Sequence, residues 1–141
     1  MKITKFEDLD CWREARKLTN MVFALSRQLP FNRGFRLADQ MTGAALSVMN
    51  NIVEGFDSQS NAEFVRFLTY GRRSVSEVQT CLYVAVDNTL INQAQFGEVY
   101  QQAVRTRQVI DGFLRYLRAE RAQRAQRTQR VSDANRPVVT T

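Results

Sequence analysis

Histidine is absent from this 141-residue sequence, and cysteine is scarce. Histidine is the commonest general base and the commonest metal ligand, so most familiar catalytic and metal-binding constellations cannot be assembled here. Cys11 and Cys81 stand alone and form no CxxC pair, so neither a disulfide framework nor a zinc site is expected. Both thiols are predicted to be small buried side chains in a reducing compartment. We therefore expect no catalytic residues, no metal and no cofactor.

Long apolar runs are missing as well. No stretch of about 18 consecutive apolar residues occurs, and the first ten residues have no apolar core after their lysines. We therefore expect neither a membrane span nor a signal peptide, and hence a cytoplasmic protein. The chain has only 2 prolines and 6 glycines, which argues against a loop-rich fold. A hydrophobic content of 44% is enough for one domain with its own core.

The net charge of +6 is unevenly distributed along the chain. Residues 1–118 hold 15 basic and 12 acidic side chains, whereas residues 119–141 hold 5 and 2. Half of the positive excess therefore lies in a short C-terminal segment. Excess positive charge favours polyanions as partners, because neutralising phosphates releases their counterions.

Apolar residues at spacings of three and four predict four amphipathic helices. We place them at residues 8–29, 36–56, 60–87 and 92–118. The apolar stripe of the fourth helix is predicted to consist of Phe96, Val99, Ala103, Thr106, Ile110, Phe113 and Leu117. Four such helices with short links predict an all-α fold, an antiparallel up-down-up-down four-helix bundle that spans residues 1–118.

Proline, glycine and capping residues predict where the helices begin and end. Pro30 is expected to end the first helix, and Gly34 is expected to lie in a connector at residues 31–35. Gly55 is expected to close the second helix. Capping-box patterns then predict where the third and fourth helices begin, at Ser60 with Glu63 and at Asn92 with Gln95.

Residues 119–141 form the second predicted unit, an arginine-rich and flexible C-terminal tail. Four of its arginines recur at every third position, at Arg121, Arg124, Arg127 and Arg130. On an α-helix this spacing turns each guanidinium by about 60° relative to the previous one, so no single basic face forms. Two interpretations stay open: a frayed, solvating extension of the fourth helix, or an arginine arm that adds salt-sensitive phosphate contacts.

The second helix contains the most informative stretch, QMTGAALSVMNNIVEG at residues 40–55. A polar flank runs beside its apolar stripe and consists of Gln40, Ser47, Asn51 and Glu54. We predict that these four side chains fix the register of helices or subunits through hydrogen bonds. The alternative is a carboxylate active site with Asp57 and Glu63, which the absence of histidine disfavours.

Basic residues on the other helices are candidates for nucleic-acid contacts. Arg66 and Arg73 lie seven residues apart on the third helix and share a face, with Arg72 beside them. Together with the tail arginines they form the predicted nucleic-acid-binding set. A similar cluster on the first helix comprises Arg13, Arg16 and Lys17. The competing interpretation is that all of these are solvated faces.

The sequence resembles a small bacterial family named after the protein encoded in the intervening sequence of 23S ribosomal RNA genes. The resemblance covers residues 6–118. The matching residues of the second helix are Gln40, Ala44, Ala45, Ser47, Asn51, Ile52, Glu54 and Gly55. Further matches are Phe6, Asp8, Leu9, Trp12, Glu63, Phe64, Arg66, Phe67, Leu68, Ser74 and Glu77.

The resemblance implies a four-helix bundle that assembles into a ring, usually a homopentamer, with no established enzymatic activity. A distant relation is the accessory protein of diversity-generating retroelements, whose basic ring binds nucleic acid and a reverse transcriptase. Many family members carry two arginines where this chain has Thr42 and Gly43, and a proline where it has Met49. Polyanion contacts are therefore expected on Arg66, Arg72, Arg73 and the tail.

Two functions follow as expectations. The first is a non-enzymatic, homo-oligomeric adaptor that binds RNA or another nucleic acid. The second is a scaffold that binds a partner protein, with no nucleic-acid contact. A third class, a metal enzyme or hydrolase, is the one that the residue composition disfavours.

Overall fold

Four α-helices make up most of the chain in the computed structural model, which describes residues 2–139 apart from the side chains at positions 31 and 32. Their bounds are Asp10–Arg27 (α1), Phe31–Asp57 (α2), Asn61–Asp87 (α3) and Gln93–Ala134 (α4). A 3-10 turn, Phe6–Asp8, precedes α1. No β-strand occurs between residues 2 and 139, and the all-α prediction is confirmed.

Side-chain contacts show that neighbouring helices run antiparallel. Along α3 and α4 the contacts occur in opposite chain order, at Phe64 with Phe113, Arg72 with Asp111 and Tyr83 with Phe96. The same order relates α1 to α4, where Glu14 meets Gln102 and Gln28 meets Gln95. Gly55 of α2 lies beside Phe64, and Gly71 of α3 lies beside Asn51, so α2 and α3 also run antiparallel. Each helix packs against the two beside it, which is the arrangement of an up-down-up-down bundle.

The core is formed by the apolar stripes, and every helix contributes large, fully buried side chains. Among them are Leu18, Val22, Met41, Ile52, Leu68, Leu82 and Ile110. The predicted stripe of α4 needs one correction, because Leu114 is buried and Phe113 is only half-buried. The stripe continues four residues beyond Ile110, which leaves Phe113 on its edge against the ring of Phe64.

The start of α2 differs from the prediction. The connector expected at residues 31–35 is wrong, because α2 begins at Phe31 directly after Pro30. The Gly34 amide donates to the Pro30 carbonyl at 2.7 Å, which closes the first helical turn. Proline suits a helix start, since its missing N–H would be unpaired there in any case. Gly34 instead allows close packing, because a Cβ there would lie 2.9 Å from Leu29 Cβ.

The role expected for Gly55 is also wrong. α2 continues through Asp57, and Gly55 is a buried residue inside the helix. A Cβ at Gly55 would lie 2.7 Å from Cδ1 of Phe64, so the glycine lets α3 approach closely. Among residues 2–139 the left-handed conformation is adopted by Gln59 and Thr89, with φ of 56° and 57°, and by no glycine.

The predicted N-caps are confirmed. Asn92 Oδ1 accepts a hydrogen bond from the Gln95 amide at 2.8 Å, and Gln95 Oε1 accepts one from the Asn92 amide at 2.9 Å. Ser60 Oγ accepts from the Glu63 amide at 3.3 Å. These side chains satisfy backbone donors that the first helical turn leaves unpaired.

The C-terminal segment continues α4 as far as Ala134, and every residue from 121 to 139 is exposed. Thr140 and Thr141, which belong to the predicted tail, lie outside the described residues. The division of the chain at residue 118 and the flexibility of the tail stay predictions. Between residues 2 and 139, no helix has the length and hydropathy needed to cross a membrane.

Candidate interaction surfaces

A chain of hydrogen bonds joins α2 to α3 through two members of the predicted polar flank. Asn51 Nδ2 donates to Ser47 Oγ at 3.1 Å and to the Ser47 carbonyl at 2.8 Å. Ser47 Oγ lies 2.9 Å from Ser74 Oγ, which donates to the Tyr70 carbonyl at 3.2 Å. Every hydroxyl in this chain is paired, so the partly buried polar groups help to fix the register of α2 against α3.

Gln40 and Glu54 have a different environment. Both are exposed, and neither side chain makes a hydrogen bond or ion pair with the part of the chain that the structure describes. They lie on what we term the α2 outer face, which consists of Gln40, Gly43, Leu46, Asn50 and Glu54. Leu46 is 43% exposed, and a Cβ at Gly43 would meet no atom within 4 Å. The predicted motif is therefore divided between an internal junction and an open surface.

Two of the predicted arginines on α3 flank one exposed aromatic ring. The guanidinium carbons of Arg66 and Arg73 lie 5.9 and 5.8 Å from the centroid of Tyr70. Arg66 also pairs with Glu63 at 3.0 Å, whereas Arg73 has no acidic partner among residues 2–139. We refer to Arg66, Tyr70 and Arg73 as the α3 arginine–tyrosine cluster.

Arg72 does not belong to this cluster. Its Nε donates to Asp111 Oδ1 at 2.6 Å, across the contact between α3 and α4. The ion pair is partly buried and links two helices, so the Arg72 guanidinium is already occupied. The predicted set of three α3 arginines therefore separates into two surface residues and one interhelical residue.

The tail arginines lie beyond one end of the bundle. Arg121, Arg124, Arg127 and Arg130 are all exposed, and Arg124 pairs with Glu120 at 3.0 Å. Phe64 near the start of α3 contacts Phe113, one turn before the last buried residue of α4, Leu117. The tail thus extends from the end of the bundle at which α3 begins, and the α3 arginine–tyrosine cluster lies in the first half of that helix.

The basic cluster on α1 is largely neutralised by nearby acids. Arg13 pairs with Asp8 at 3.3 Å and Asp10 at 3.8 Å, and Lys17 pairs with Glu14 at 3.4 Å. The Arg16 guanidinium lies over the Trp12 ring, 5.7 Å from its centroid. These cations line a groove between α1 and α4 that also contains Arg105 and Val109.

Glu14 is a buried carboxylate that the sequence analysis missed. Its side chain is 8% exposed, and it accepts hydrogen bonds from Gln102 Nε2 at 2.8 Å and Arg105 Nε at 3.1 Å. Burial by itself raises the pKa of a carboxyl group, but the bonds from Gln102 and Arg105, with the charge of Lys17, hold the pKa of Glu14 below its ordinary value. A glutamate at helical spacing within the buried stripe of α1 was the available signal.

An exposed aromatic surface lies at the opposite end of the α3–α4 pair. The Tyr83 ring centroid is 5.0 Å from that of Phe96 and 5.5 Å from that of Tyr100. Phe96 and Tyr100 stack at 5.1 Å, and Tyr83 is 50% exposed. Aromatic side chains that keep part of their surface in water are typical of protein interfaces.

The two thiols lie inside the bundle to different degrees. Cys11 is buried and Cys81 is half-buried, and both are free. Burial raises the pKa of Cys11 to about 12. Among the described residues, no group of three or more cysteine or carboxylate side chains is arranged to hold a metal ion.

Comparison with known proteins extends this description. Residues 7–112 match the family model described as 23S rRNA-intervening sequence protein. The fold is similar to a crystal structure of a protein of unknown function from the S23 ribosomal protein family of Bacteroides thetaiotaomicron VPI-5482. That likeness has a TM-score of 0.69 at 17% sequence identity and covers 74% of this chain and 97% of the other. No curated protein matches the sequence.

Proposed function

Because the chain belongs to the 23S rRNA-intervening sequence protein family, we propose that it is a non-enzymatic, cytoplasmic adaptor that binds structured RNA as a homo-oligomer, in the form of a pentameric ring. The α3 arginine–tyrosine cluster is the observation that carries the proposal. Two guanidinium groups beside an exposed ring offer phosphate contacts and a stacking surface together.

Charge and repetition support the same proposal. Arg73 has no acidic partner among residues 2–139, so its charge is available to a phosphate without the loss of an internal ion pair. A single cluster of this size binds weakly, since each phosphate contact contributes little at physiological salt. In a homo-oligomer the cluster recurs in every subunit, and several weak contacts to one RNA then add as avidity.

The test is a salt series of RNA binding with charge-removing variants. We expect the natural protein to bind a structured RNA hairpin with an affinity that falls as salt rises. Replacing two phosphate contacts, with Arg66→Gln and Arg73→Gln, should reduce the slope of log affinity against log salt by about 2. Fluorescence anisotropy of a labelled hairpin measures both quantities.

A matched control removes the same charge elsewhere. Lys5→Gln with Arg27→Gln also replaces two exposed cations, and neither has an acidic partner among residues 2–139. The control should bind RNA with nearly the natural salt slope. Equal slopes for the two double variants, or no RNA binding at low salt, would contradict the proposal.

The second candidate is a scaffold that binds a partner enzyme without nucleic acid. The aromatic surface of Tyr83, Phe96 and Tyr100 favours it, because such rings are enriched where proteins meet. If the protein has this function, a protein partner stays bound to it after nuclease treatment of a lysate. The double variant Tyr83→Ser with Tyr100→Ser should not retain that partner. Tyr116→Ser is the control, since Tyr116 is 53% exposed on a different part of α4.

A further inference from the structure

The part of α4 that projects beyond the bundle has no apolar side. We term residues 121–134 the α4 extension; they are helical, exposed throughout and span about 20 Å at the rise of an α-helix. The extension repeats every three residues. Arginine occupies positions 121, 124, 127 and 130, and glutamine occupies 123, 126 and 129. Alanine, threonine or valine occupies 122, 125, 128 and 131. A repeat of three residues cannot form a stripe on a helix of 3.6 residues per turn.

The arginines therefore surround the helix. Each lies about 60° around the axis from the one before, so the series from Arg118 to Arg130 covers about 240° of the circumference. Within the described residues, Arg124 pairs with Glu120, and Asp133 accepts a hydrogen bond from Gln129 at 3.0 Å. The other arginines of the series have no acidic partner between residues 2 and 139.

Local interactions support the helix without packing. Alanine, glutamine and arginine are strong helix formers, and the bundle already provides the helical nucleus from which the extension continues. Thr128 Oγ1 donates to the Arg124 carbonyl at 3.0 Å. The extension thus continues α4 as a helix that carries positive charge on most of its sides.

The distribution of charge around the α4 extension favours some classes of binding partner over others. A protein groove or a lipid surface needs an apolar face, which the extension lacks. The major groove of B-form DNA is about 8.5 Å deep, less than the helix diameter of about 10–12 Å, so arginines on the outer side would face solvent. The major groove of RNA is deep but narrow, and unpaired nucleotides open it. Phosphates then lie on both sides of an inserted helix.

We propose that the α4 extension inserts into the major groove of an RNA helix that is opened by a bulge or internal loop. The inference rests on the proposed function and names the class of RNA involved. It assigns the extension to groove binding and leaves backbone contacts to the α3 arginine–tyrosine cluster.

Two variants separate the amount of charge from its arrangement. The first removes the charge with Arg121→Gln, Arg124→Gln, Arg127→Gln and Arg130→Gln. The second keeps composition and net charge but moves the arginines to one face, at positions 121, 125, 128 and 132. It exchanges two residues in each of three pairs, through R124A/A125R, R127T/T128R and R130S/S132R. Circular dichroism confirms that both variants keep the natural helix content.

The probes are an RNA hairpin with a bulged stem, the same hairpin without the bulge, and a DNA duplex. We expect the natural protein to prefer the bulged hairpin. The charge-removed variant should bind it about tenfold more weakly, with a salt slope smaller by about 3. The one-face variant should also lose about tenfold on the bulged hairpin while it binds the DNA duplex at least as well as the natural protein does.

Equal binding of the natural and one-face proteins to the bulged hairpin would overturn the inference, and so would equal affinity for hairpins with and without the bulge. If the natural protein binds RNA in a salt-dependent way and both extension variants bind equally well, the inference fails and the proposed function stands. If the natural protein binds none of the RNAs at low salt, both fail.

Discussion

Glu14 shows how one buried charge is made compatible with an apolar core. A carboxylate out of water is costly unless hydrogen bonds and opposite charges compensate. Gln102, Arg105 and Lys17 do so for the carboxylate, and Thr106 Oγ1 donates to the Glu14 carbonyl at 3.2 Å. Because Gln102, Arg105 and Thr106 lie on α4, this residue links the first helix to the last.

Replacing this carboxylate should destabilise the protein in a pH-dependent way. At pH 7 we expect Glu14→Gln to lower the free energy of unfolding by about 1 kcal/mol, because the charge-assisted hydrogen bonds to the carboxylate are lost while the exposed Arg105 is solvated by water instead. The pKa of Glu14 is lower in the folded than in the unfolded chain, so its stabilisation is complete above the unfolded value of about 4.3 and is lost as pH falls through the folded pKa.

Urea unfolding of both proteins at neutral and acid pH measures this effect. The difference in free energy of unfolding between the natural protein and Glu14→Gln should shrink below about pH 4. Glu98→Gln is the control, since Glu98 is an exposed glutamate on α4. A difference between Glu14→Gln and the natural protein that stays constant with pH would contradict the assignment.

The contact between α2 and α3 depends on two glycines with different surroundings. A Cβ at Gly71 would meet Asn51 Cβ and the Val48 carbonyl oxygen at 3.6 Å, which is ordinary van der Waals contact. A Cβ at Gly55 would lie 2.7 Å from Phe64 and 3.2 Å from Phe67 Cβ, which is too close. Gly55 is therefore needed for packing, whereas Gly71 only excludes larger side chains.

We expect alanine at Gly71 and at Gly55 to affect the free energy of unfolding differently. Gly71→Ala should leave the free energy of unfolding unchanged or raise it by up to about 1 kcal/mol, through better helix propensity. Gly55→Ala should lower it by about 1–3 kcal/mol, because the aromatic rings of α3 must shift. Guanidinium chloride unfolding measures both. A destabilising Gly71→Ala would mean that the helices approach more closely than the distances indicate.

The α2 outer face is the surface that we expect to join subunits. It combines an exposed leucine, Leu46, with polar residues, and two of its members, Gln40 and Glu54, are among the residues through which the sequence resembles its family. An interface between subunits would bury this leucine, which the single bundle leaves exposed. This difference makes assembly testable apart from folding.

Leu46→Gln should therefore dissociate the proposed oligomer without unfolding the subunit. Val84→Gln is the matched control, since Leu46 and Val84 are both 43% exposed in the single bundle. Both changes should alter the free energy of unfolding of the subunit by less than about 1 kcal/mol. Native mass spectrometry after nuclease treatment reports the subunit number. Dissociation by Val84→Gln alone would instead locate the interface on the C-terminal part of α3.

Local patterns predicted the four helices and the starts of α3 and α4. Apolar periodicity and the caps at Ser60 and Asn92 depend on spacing and hydrogen-bonding chemistry that act within a few residues. The two glycines expected in turns were misassigned. Glycine can mark close packing as well as a turn, and only the neighbouring helix distinguishes the two.

The order and period of apolar residues therefore determined a four-helix bundle, because each helix must bury its own stripe and short links force neighbours to be antiparallel. The packing of the helices determined which polar side chains form internal hydrogen bonds and which stay exposed. Ser47 bonds to Ser74 and Asn51 bonds to Ser47, while Gln40 and Glu54 stay exposed. Arg72 pairs with Asp111, while Arg73 does not. These choices depend on which flank of a helix meets its neighbour, and interhelical distance and rotation are not encoded in the spacing of a single helix.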